Sequence, residues 1–321
     1  MNYNAAIEVG KAVQLSDRLI RITAPNPGMM TGPGTNTYIV GYAGNKAGAR
    51  TGVGEFVVID PGPAIESHIE VIVETVGNRL SAILVTHTHR DHSPAAMALK
   101  QRYAEQGIDV PCMGLPSEKA DERKFQDTSF VADRVLEHGD LLLFGSEYRE
   151  NNGFNLEVLY TPGHVSNHLC FLLKEEKILL AGDHMMQGST VAIVPPQGDM
   201  LEYLNSLKLL KNYLIDAIAP AHGTLLLEPA KEIDTVIKHR LWREEKVLKS
   251  ISREIPIDTN GLLLAVYDDV DPKLHWAAKF SLFAHLSKLL REQLVSCDTD
   301  LSGLSLEAIE KLDNAKWRRL R

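Results

Sequence analysis

Short runs of β-branched and aliphatic residues alternate with segments of helical periodicity over the first two thirds of the chain. Such runs, bounded by turn-forming residues, predict strands at 37–41, 55–60, 80–86, 156–161, 169–173, 177–181 and 216–220. A Gly/Ala-rich loop at 42–54 joins the first two strands. Strands that alternate with amphipathic segments favour an α/β layered core.

Three helices are predicted between these strands. Apolar residues from Ile65 to Val76 recur at helical spacing. Ser93 can cap a helix that has Pro94 at its first position and that Gly107 ends. Asp199, with Glu202 three residues later, resembles a capping box for a helix at 200–213.

The C-terminal third differs from the rest, because its sequence predicts one helix after another. Helices are expected at 229–253, 261–267 and 272–295, followed by a basic end at 317–321. We therefore divide the chain into a catalytic domain at 1–225 and a helical domain at 226–321.

Charge and cysteine content restrict the functional class. The net charge of -8 resides in residues 1–225, which hold 18 basic and 26 acidic residues, whereas residues 226–321 hold 16 of each. Neither half has the basic excess of a protein that binds nucleic acid through bulk charge. Three cysteines far apart in the sequence favour reduced thiols. With no apolar run of roughly 20 residues and no signal-like start, we expect a cytoplasmic protein without membrane contacts.

Four metal-ligating side chains lie together where the predicted strand 80–86 turns into a helix. They are His87, His89, Asp91 and His92. Imidazoles and a carboxylate packed this closely are costly to bury unless a cation compensates them. A catalytic zinc ion takes three protein ligands and a water, so four donors exceed the need of one ion and are too few for two.

Three further donors follow other predicted strands. His164 lies in Thr-Pro-Gly-His, Asp183 in Ala-Gly-Asp-His and His222 in Pro-Ala-His-Gly. Each alone is more simply a satisfied polar residue. Together they raise the donor count to seven, which suffices for two ions if one carboxylate bridges them.

The order of these motifs resembles the metallo-β-lactamase superfamily. His-x-His-x-Asp-His precedes Thr-Pro-Gly-His, Gly-Asp and Ala-His-Gly, and Asp60-Pro61-Gly62 resembles the family's preceding strand-end motif. The resemblance covers roughly residues 17–225. It implies an α/β (α+β) fold, an αββα sandwich of two face-to-face sheets with helices outside.

The resemblance also implies a ligand set. It assigns a first metal to His87, His89 and His164, a second metal to Asp91, His92 and His222, and the bridge to Asp183. Asp60 would orient a ligand-bearing loop. Two zinc ions are expected, although manganese or iron suits a similar set of nitrogen and oxygen ligands.

Two cations that share a hydroxide lower its pKa and polarise the bond under attack. Asp91 would orient this hydroxide and carry a proton to the leaving group. The reaction class is therefore metal-dependent hydrolysis, and the metal site leaves the substrate open, since an ester, thioester, amide or phosphodiester is suitable.

The substrate is narrowed by likeness to a β-lactamase-like group that includes a single-strand-specific endoribonuclease. The likeness rests on Gly34-Thr35-Asn36-Thr37-Tyr38, on 190–191, on 203–208 and on a C-terminal domain similar to a small winged helix, with 272–295 as its third helix. A phosphodiester, such as single-stranded RNA, is therefore the first expectation. A glyoxalase-type thioester hydrolase and a nucleic-acid-binding protein with a vestigial enzyme core are the alternatives; the latter predicts lost ligands.

Two further observations bear on these alternatives. Lys273, Lys279, Lys288 and Arg291 could form a basic face on the third helix, opposed only by Glu292, although such faces are usually only solvated. His168 and His184, close to motif residues, are expected to support ligands or to pack rather than to bind metal.

Overall fold

A computed structural model describes residues 2–42, 56–117, 125–145, 153–188, 190–299, 312 and 315–320. All but the first residue of the loop predicted at 42–54 lies outside these ranges. Except for residue 55, the predicted strands and helices fall within them.

Fifteen strands are found among the described residues, in three sheets. They are β1 Ala12–Gln14, β2 Leu19–Thr23, β3 Asn36–Gly41, β4 Phe56–Ile59, β5 Leu80–Leu84, β6 Cys112–Gly114, β7 Arg134–Val135, β8 Leu141–Phe144, β9 Phe154–Tyr160, β10 Leu169–Leu173, β11 Ile178–Gly182, β12 Ala217–Pro220, β13 Ile257–Asp258, β14 Val295–Cys297 and β15 Lys316–Arg319. The seven predicted strands are all present, whereas β1, β2, β6, β7, β8, β13, β14 and β15 were not predicted.

Six α-helices accompany these strands in the described part of the chain. They are α1 Glu66–Val76, α2 Pro94–Ala104, α3 Met200–Leu210, α4 Pro229–Ser250, α5 Thr259–Val266 and α6 His275–Arg291. Short 3₁₀ turns lie at Gly77–Arg79 and Pro272–Leu274.

The chain divides into two compact units that are not continuous in sequence. The first comprises 1–161, 167–190 and 213–229; the second comprises 162–166, 191–212 and 230–321. The predicted domain boundary between 225 and 226 stays a prediction, because two earlier stretches belong to the second unit.

The first unit is built on two sheets that face each other. One runs in the order β1 to β7, and the other in the order β12-β11-β10-β9-β8. Their inner faces share one apolar cluster that includes Val57 and Leu84 from the first sheet and Leu156 and Phe171 from the second. The other face of the first sheet buries Ile39 and Val58 with the apolar sides of α1 and α2. A strand buried on both faces needs no polar alternation, which explains the continuous apolar runs.

Two parallel strand pairs deliver the candidate ligands. β4 pairs in parallel with β5, and β11 pairs in parallel with β12. Parallel strands end at the same edge of a sheet, so the loops that follow each pair start side by side. Asp60 and the segment from His87 to His92 follow the first pair, whereas Asp183 and His222 follow the second.

The second unit has its own apolar core. Val247 from α4, Leu262 from α5 and Phe283 from α6 pack with Trp317 of β15. A small antiparallel sheet of order β13-β15-β14 completes it. The indole Nε1 of Trp317 donates to Thr259 Oγ1 at 2.9 Å, which satisfies the buried polar end of the ring.

Three details of the predicted helix ends are wrong. The Ser93 hydroxyl does not cap α2, because it donates to Asp127 Oδ2 at 2.8 Å instead. Asp199 does accept from the backbone of Leu201 and Glu202, but its own N–H donates to Gly163 O at 2.8 Å, so no reciprocal capping bond forms. The helix predicted at 272–295 ends at Arg291. Gln293 has a φ of 56°, which is incompatible with a right-handed helix and ends α6 before β14.

Candidate metal centre

Asp60 lies at the centre of the hydrogen bonds that hold the histidine loop. Its backbone has a φ of 50°, an uncommon conformation for a non-glycine residue. One carboxylate oxygen accepts from Thr86 N at 2.7 Å, and the other accepts from Thr86 Oγ1 at 2.6 Å. The second oxygen is also 2.9 Å from His92 Nδ1. This last bond places the proton on Nδ1 and leaves Nε2 of His92 as the nitrogen able to bind a metal.

His87 and His89 form the first donor group of this unit. Because they are two residues apart in an extended segment, their rings lie on the same side, and His87 Nε2 is 3.0 Å from His89 Nδ1. Together with Asp183 they offer ligand atoms that lie within 4.8 Å of one another. Nitrogen ligands of one tetrahedral zinc ion lie about 3.3 Å apart, given bonds of roughly 2.0 to 2.1 Å. The spacing of the two rings therefore fits a shared ion.

The second donor group has the same dimensions. Asp91 Oδ2 is 3.4 Å from both His92 Nε2 and His222 Nε2. Asp183 Oδ1 is 3.1 Å from His222 Nε2 and 3.6 Å from His92 Nε2. These four carboxylate-to-imidazole distances are close to the edge lengths of a tetrahedral coordination shell. Asp183 contributes to both groups, as a bridging ligand must.

The carboxylates and imidazoles of the cluster strongly shift each other's pKa values. Burial acts to raise the pKa of Asp183, but His222 and His92 hold that pKa well below its ordinary value. Burial likewise acts to raise the pKa of Asp91, and the charge of His92 with hydrogen bonds from His222 and His92 lowers it well below the usual range. Conversely, burial acts to lower the pKa of His222, whereas Asp183 and Asp91 raise it to about 10. The cluster thus demands positive charge at its centre, which protons or divalent cations can supply.

His164 lies in the second unit, on the loop that follows β9. Its Nδ1 is 2.7 Å from Ala192 O, so that nitrogen carries the proton and Nε2 carries the lone pair. The ring is buried. Its membership of the first ligand group, expected from the family motif, stays a prediction.

Two residues fix the backbone around Asp183. His168 Nε2 accepts from Asp183 N at 3.2 Å, and its Nδ1 lies 2.9 Å from Thr161 Oγ1. Gly182 precedes Asp183 with a φ of 48°, and a Cβ atom there would lie 2.6 Å from Thr86 Oγ1 and 2.8 Å from His168 Nε2. Only glycine fits at this crossing, because a side chain would displace both supporting residues.

Thr35, Thr86 and Asn36 also contact ligands or ligand-bearing loops, yet sequence reasoning gave them no role. Thr86 is adjacent to the histidine cluster, and Thr35 and Asn36 lie in 34–38, which was noted only for its family likeness. Their participation depends on side-chain directions that no spacing rule specifies.

The predicted basic face of the third C-terminal helix is not present as such. Lys288 is buried and pairs with Glu244 at 2.7 Å and with Glu292 at 2.9 Å. Arg291 pairs with Asp199 at 2.7 Å. The expectation that only Glu292 opposes these charges was wrong, because residues far away in the sequence neutralise both.

Comparison with known proteins shows the family. A profile of the metallo-β-lactamase superfamily matches residues 32–222, and one of the β-lactamase-associated winged helix domain matches residues 261–303. The chain belongs to the metallo-β-lactamase superfamily of hydrolases and has its mixed α/β fold, with a winged helix domain after it. The predicted family and fold class are thereby confirmed, and the His/Asp cluster indicates divalent metal binding.

Individual relatives cover most of the chain. The β-lactamase-like protein 2 homolog of Caenorhabditis elegans is 27% identical over 288 residues, which is 88% of this chain and 87% of that protein. The atrochrysone carboxyl ACP thioesterase of Aspergillus novofumigatus is 27% identical over 241 residues, 74% of this chain and 64% of that protein. Among solved structures, a β-lactamase domain protein from Burkholderia ambifaria superposes with a TM-score of 0.73 at 16% identity, covering 97% of this chain and 94% of that one.

The described part of the chain contains six α-helices, of which the longest is α4 with 22 residues. None of them is both long enough and apolar enough to span a membrane.

Proposed function

We propose that this protein is a binuclear metallo-hydrolase that cleaves thioesters or related small acyl esters. The observation that carries the proposal is the pair of donor groups that meet at Asp183 with spacings of 3.0 to 3.6 Å. Divalent ions held there would activate a water molecule and polarise the bond under attack. Zinc is the proposed metal, because imidazole nitrogens dominate the set, with manganese and iron as the alternatives.

Each residue has a proposed part in this chemistry. His87, His89 and His164 hold the first ion, Asp91, His92 and His222 hold the second, and Asp183 bridges them. Asp60 fixes the ring of His92 through Nδ1 and the backbone of Thr86, so it aligns the histidine loop rather than contacting the substrate.

Asp91 is the proposed proton carrier. Its side chain is 29% exposed, compared with 12% for Asp183, so it is the carboxylate of the cluster that a substrate reaches more easily. Its depressed pKa keeps it ionised at neutral pH. An ionised carboxylate at this position can accept the proton of the attacking water and deliver it to the leaving thiolate or alkoxide.

The choice of an acyl substrate departs from the first expectation of a phosphodiester. One relative is named as a thioesterase of an acyl carrier protein, and Lys288 and Arg291, which supported nucleic-acid binding, are engaged in ion pairs. Both observations favour a thioester over single-stranded RNA. A cytoplasmic location stays a prediction.

A side-by-side assay tests this function. Zinc-loaded protein is incubated with an acyl-pantetheine thioester, a glutathione thioester and a single-stranded RNA oligonucleotide. We expect thioester hydrolysis that a chelator abolishes and that zinc restores. In His87→Ala the rate should fall about 1000-fold, which corresponds to a barrier raised by about 4 kcal/mol.

The matched control is His138→Ala, which removes an exposed histidine outside the cluster and should leave turnover unchanged. RNA cleavage that is lost in His87→Ala, without thioester turnover, would replace the proposed substrate class. Turnover that survives both chelation and His87→Ala would refute metal catalysis itself.

A further inference from the structure

The segment that enters β3 contacts the second donor group but has no part in the chemistry described above. Thr35 is fully buried, and its Oγ1 lies 3.2 Å from Asp91 Oδ2. That same oxygen faces the Nε2 atoms of His92 and His222 at 3.4 Å each. The Thr35 hydroxyl therefore reaches the oxygen atom through which Asp91 would bind a cation.

Asn26 determines the direction in which this hydroxyl donates. Asn26 Nδ2 donates to Thr35 Oγ1 at 2.9 Å, while Asn26 Oδ1 accepts from Thr35 N at 2.9 Å. The second bond fixes which end of the amide is the donor. Since Thr35 Oγ1 accepts a proton from Asn26, its single O–H is left to point at Asp91.

Gly34 allows the chain at 34–35 to approach the chain at 24–26 closely. Its φ is 148°, and a Cβ atom there would lie 1.9 Å from Ala24 O and 3.0 Å from Asn26 Oδ1. A side chain at 34 would push Asn26 away from Thr35. The Gly34 carbonyl also lies 3.4 Å from His222 Nδ1 and accepts its proton, which leaves Nε2 of that ring to face the cluster.

Asn36 extends the same support to the loop that carries His222. Its side-chain amide donates to Pro220 O at 3.1 Å and to Gly223 O at 2.8 Å, and its backbone N–H donates to Ala221 O at 2.7 Å. Three consecutive residues, 34 to 36, thus support Asp91 and His222. Both are members of the second donor group, and neither belongs to the His87–His89 pair.

We propose that Thr35, oriented by Asn26, is a positioning residue for the second metal ion. Its hydroxyl holds Asp91 Oδ2 toward His92 and His222. Removing the hydroxyl therefore weakens the binding of the second metal ion more than the binding of the first. The inference rests on the proposed binuclear function for its meaning, but it is measured by metal binding alone.

The experiment titrates metal-free protein with zinc in competition with a chromophoric chelator, which resolves the two binding steps. We expect Thr35→Val to weaken one of the two steps by about 10- to 100-fold, as is usual for residues that orient metal ligands, and to leave the other step unchanged. Thr35→Ser keeps the hydroxyl and should bind within about threefold of the parent protein. The matched control, Thr75→Val, removes a hydroxyl that donates to Val71 O on α1, outside both donor groups, and should change neither step.

A double-mutant cycle tests the role of Asn26. Asn26→Ala should weaken the same step by a smaller factor than Thr35→Val. It should have little further effect in the Thr35→Val background, because the proposal assigns the effect of Asn26 on the metal to that hydroxyl. Additive losses would refute the relay. If Thr35→Val does not fold, Thr35→Ser and Asn26→Ala still decide, since the proposal requires binding to be retained in the first and weakened in the second.

The results separate this inference from the proposed function. Two zinc ions bound by a protein that hydrolyses none of the substrates would refute the function and leave the role of Thr35 to the titration. Equal losses in both steps, or wild-type affinities in Thr35→Val, would refute the positioning role while leaving the hydrolase intact. A parent protein that binds no zinc would refute both.

Discussion

Each unit buries a cluster of ionisable side chains, and the two clusters differ in how their charge is balanced. In the first unit, burial acts to lower the pKa of His92 and His222, but the carboxylates of Asp183 and Asp91 raise it, so positive charge is demanded there. In the second unit, Glu244 contacts Lys288 at 2.7 Å, so a fixed cation is already present. A cluster that needs a cation from solution is a candidate metal site, whereas a cluster that contains its own cation has a structural role.

The histidines of the two clusters show the same contrast. Burial acts to lower the pKa of His222, but carboxylates raise it to about 10. Burial lowers the pKa of His285 to about 4, although its Nδ1 is 3.4 Å from Glu244. His285 lacks an uncompensated carboxylate, because Glu244 is engaged with Lys288. Burial alone therefore does not identify a functional histidine; the uncompensated charge of its neighbours does.

The largest expected effect comes from removing the shared carboxylate of the first cluster. Asp183→Asn should lower kcat for the substrate by about 1000-fold or more, equivalent to about 4 kcal/mol of barrier, because both donor groups lose a charged ligand. Bound zinc, measured by element analysis after dialysis, should fall below two ions per chain. The variant should keep the native circular-dichroism spectrum.

Asp216→Asn is the matched control, since Asp216 is exposed and only approaches Lys177 at 3.6 Å. Unchanged turnover in Asp183→Asn would remove Asp183 from the site. Loss of the native spectrum would instead assign it a role in folding.

In the second unit, we expect a substitution in the buried cluster to lower stability and to leave metal binding unchanged. Lys288→Met leaves Glu244 buried without its cation and should lower the free energy of unfolding by about 3 to 5 kcal/mol. Zinc content should stay the same. Urea unfolding followed by circular dichroism measures the first quantity, and element analysis of the folded protein measures the second.

Arg291→Met provides a control on the same helix. Arg291 is 48% exposed and pairs with Asp199, so its loss should cost less than about 1 kcal/mol. If the two variants were equally stable, the buried pair of Lys288 would be no more important than an exposed one, and the contrast between the clusters would fail.

The extent to which these features follow from sequence depends on whether they are local. The run from His87 to His92 could be placed because an apolar strand and a Ser-Pro helix start enclose it, and the family resemblance supplied His164, Asp183 and His222. Lys288 was placed on a basic face because helical spacing groups it with Arg291, but spacing does not reveal that Glu244, 44 residues earlier, lies opposite.

Side-chain hydrogen bonds were the least predictable feature. Ser93 stands where a helix cap is expected, but Asp127 competes for its hydroxyl. Thr35 stands in a motif with no chemical signal of its own, and its direction is set by Asn26, nine residues earlier, across a close approach that Gly34 permits. In both positions, a partner distant in sequence determines which of several local bonds forms.

The smallest expected effect concerns pH and the buried neutral histidine of the second unit. His285 is surrounded by Glu244 and Arg240 of α4 and Lys288 of α6, and its pKa is lowered to about 4 from an ordinary value of 6.5. Between these values the unfolded chain binds a proton that the folded protein does not, so stability falls as the pH drops from 6.5 to 4 and levels off below 4. Each pKa unit corresponds to about 1.4 kcal/mol, so the loss from this residue is at most about 3.5 kcal/mol. Urea unfolding of metal-free protein across this range should show a shallower pH dependence in His285→Gln than in the parent. A slope unaffected by His285→Gln would mean that folding does not lower the pKa of this ring, and that the second cluster is not balanced by Lys288 alone.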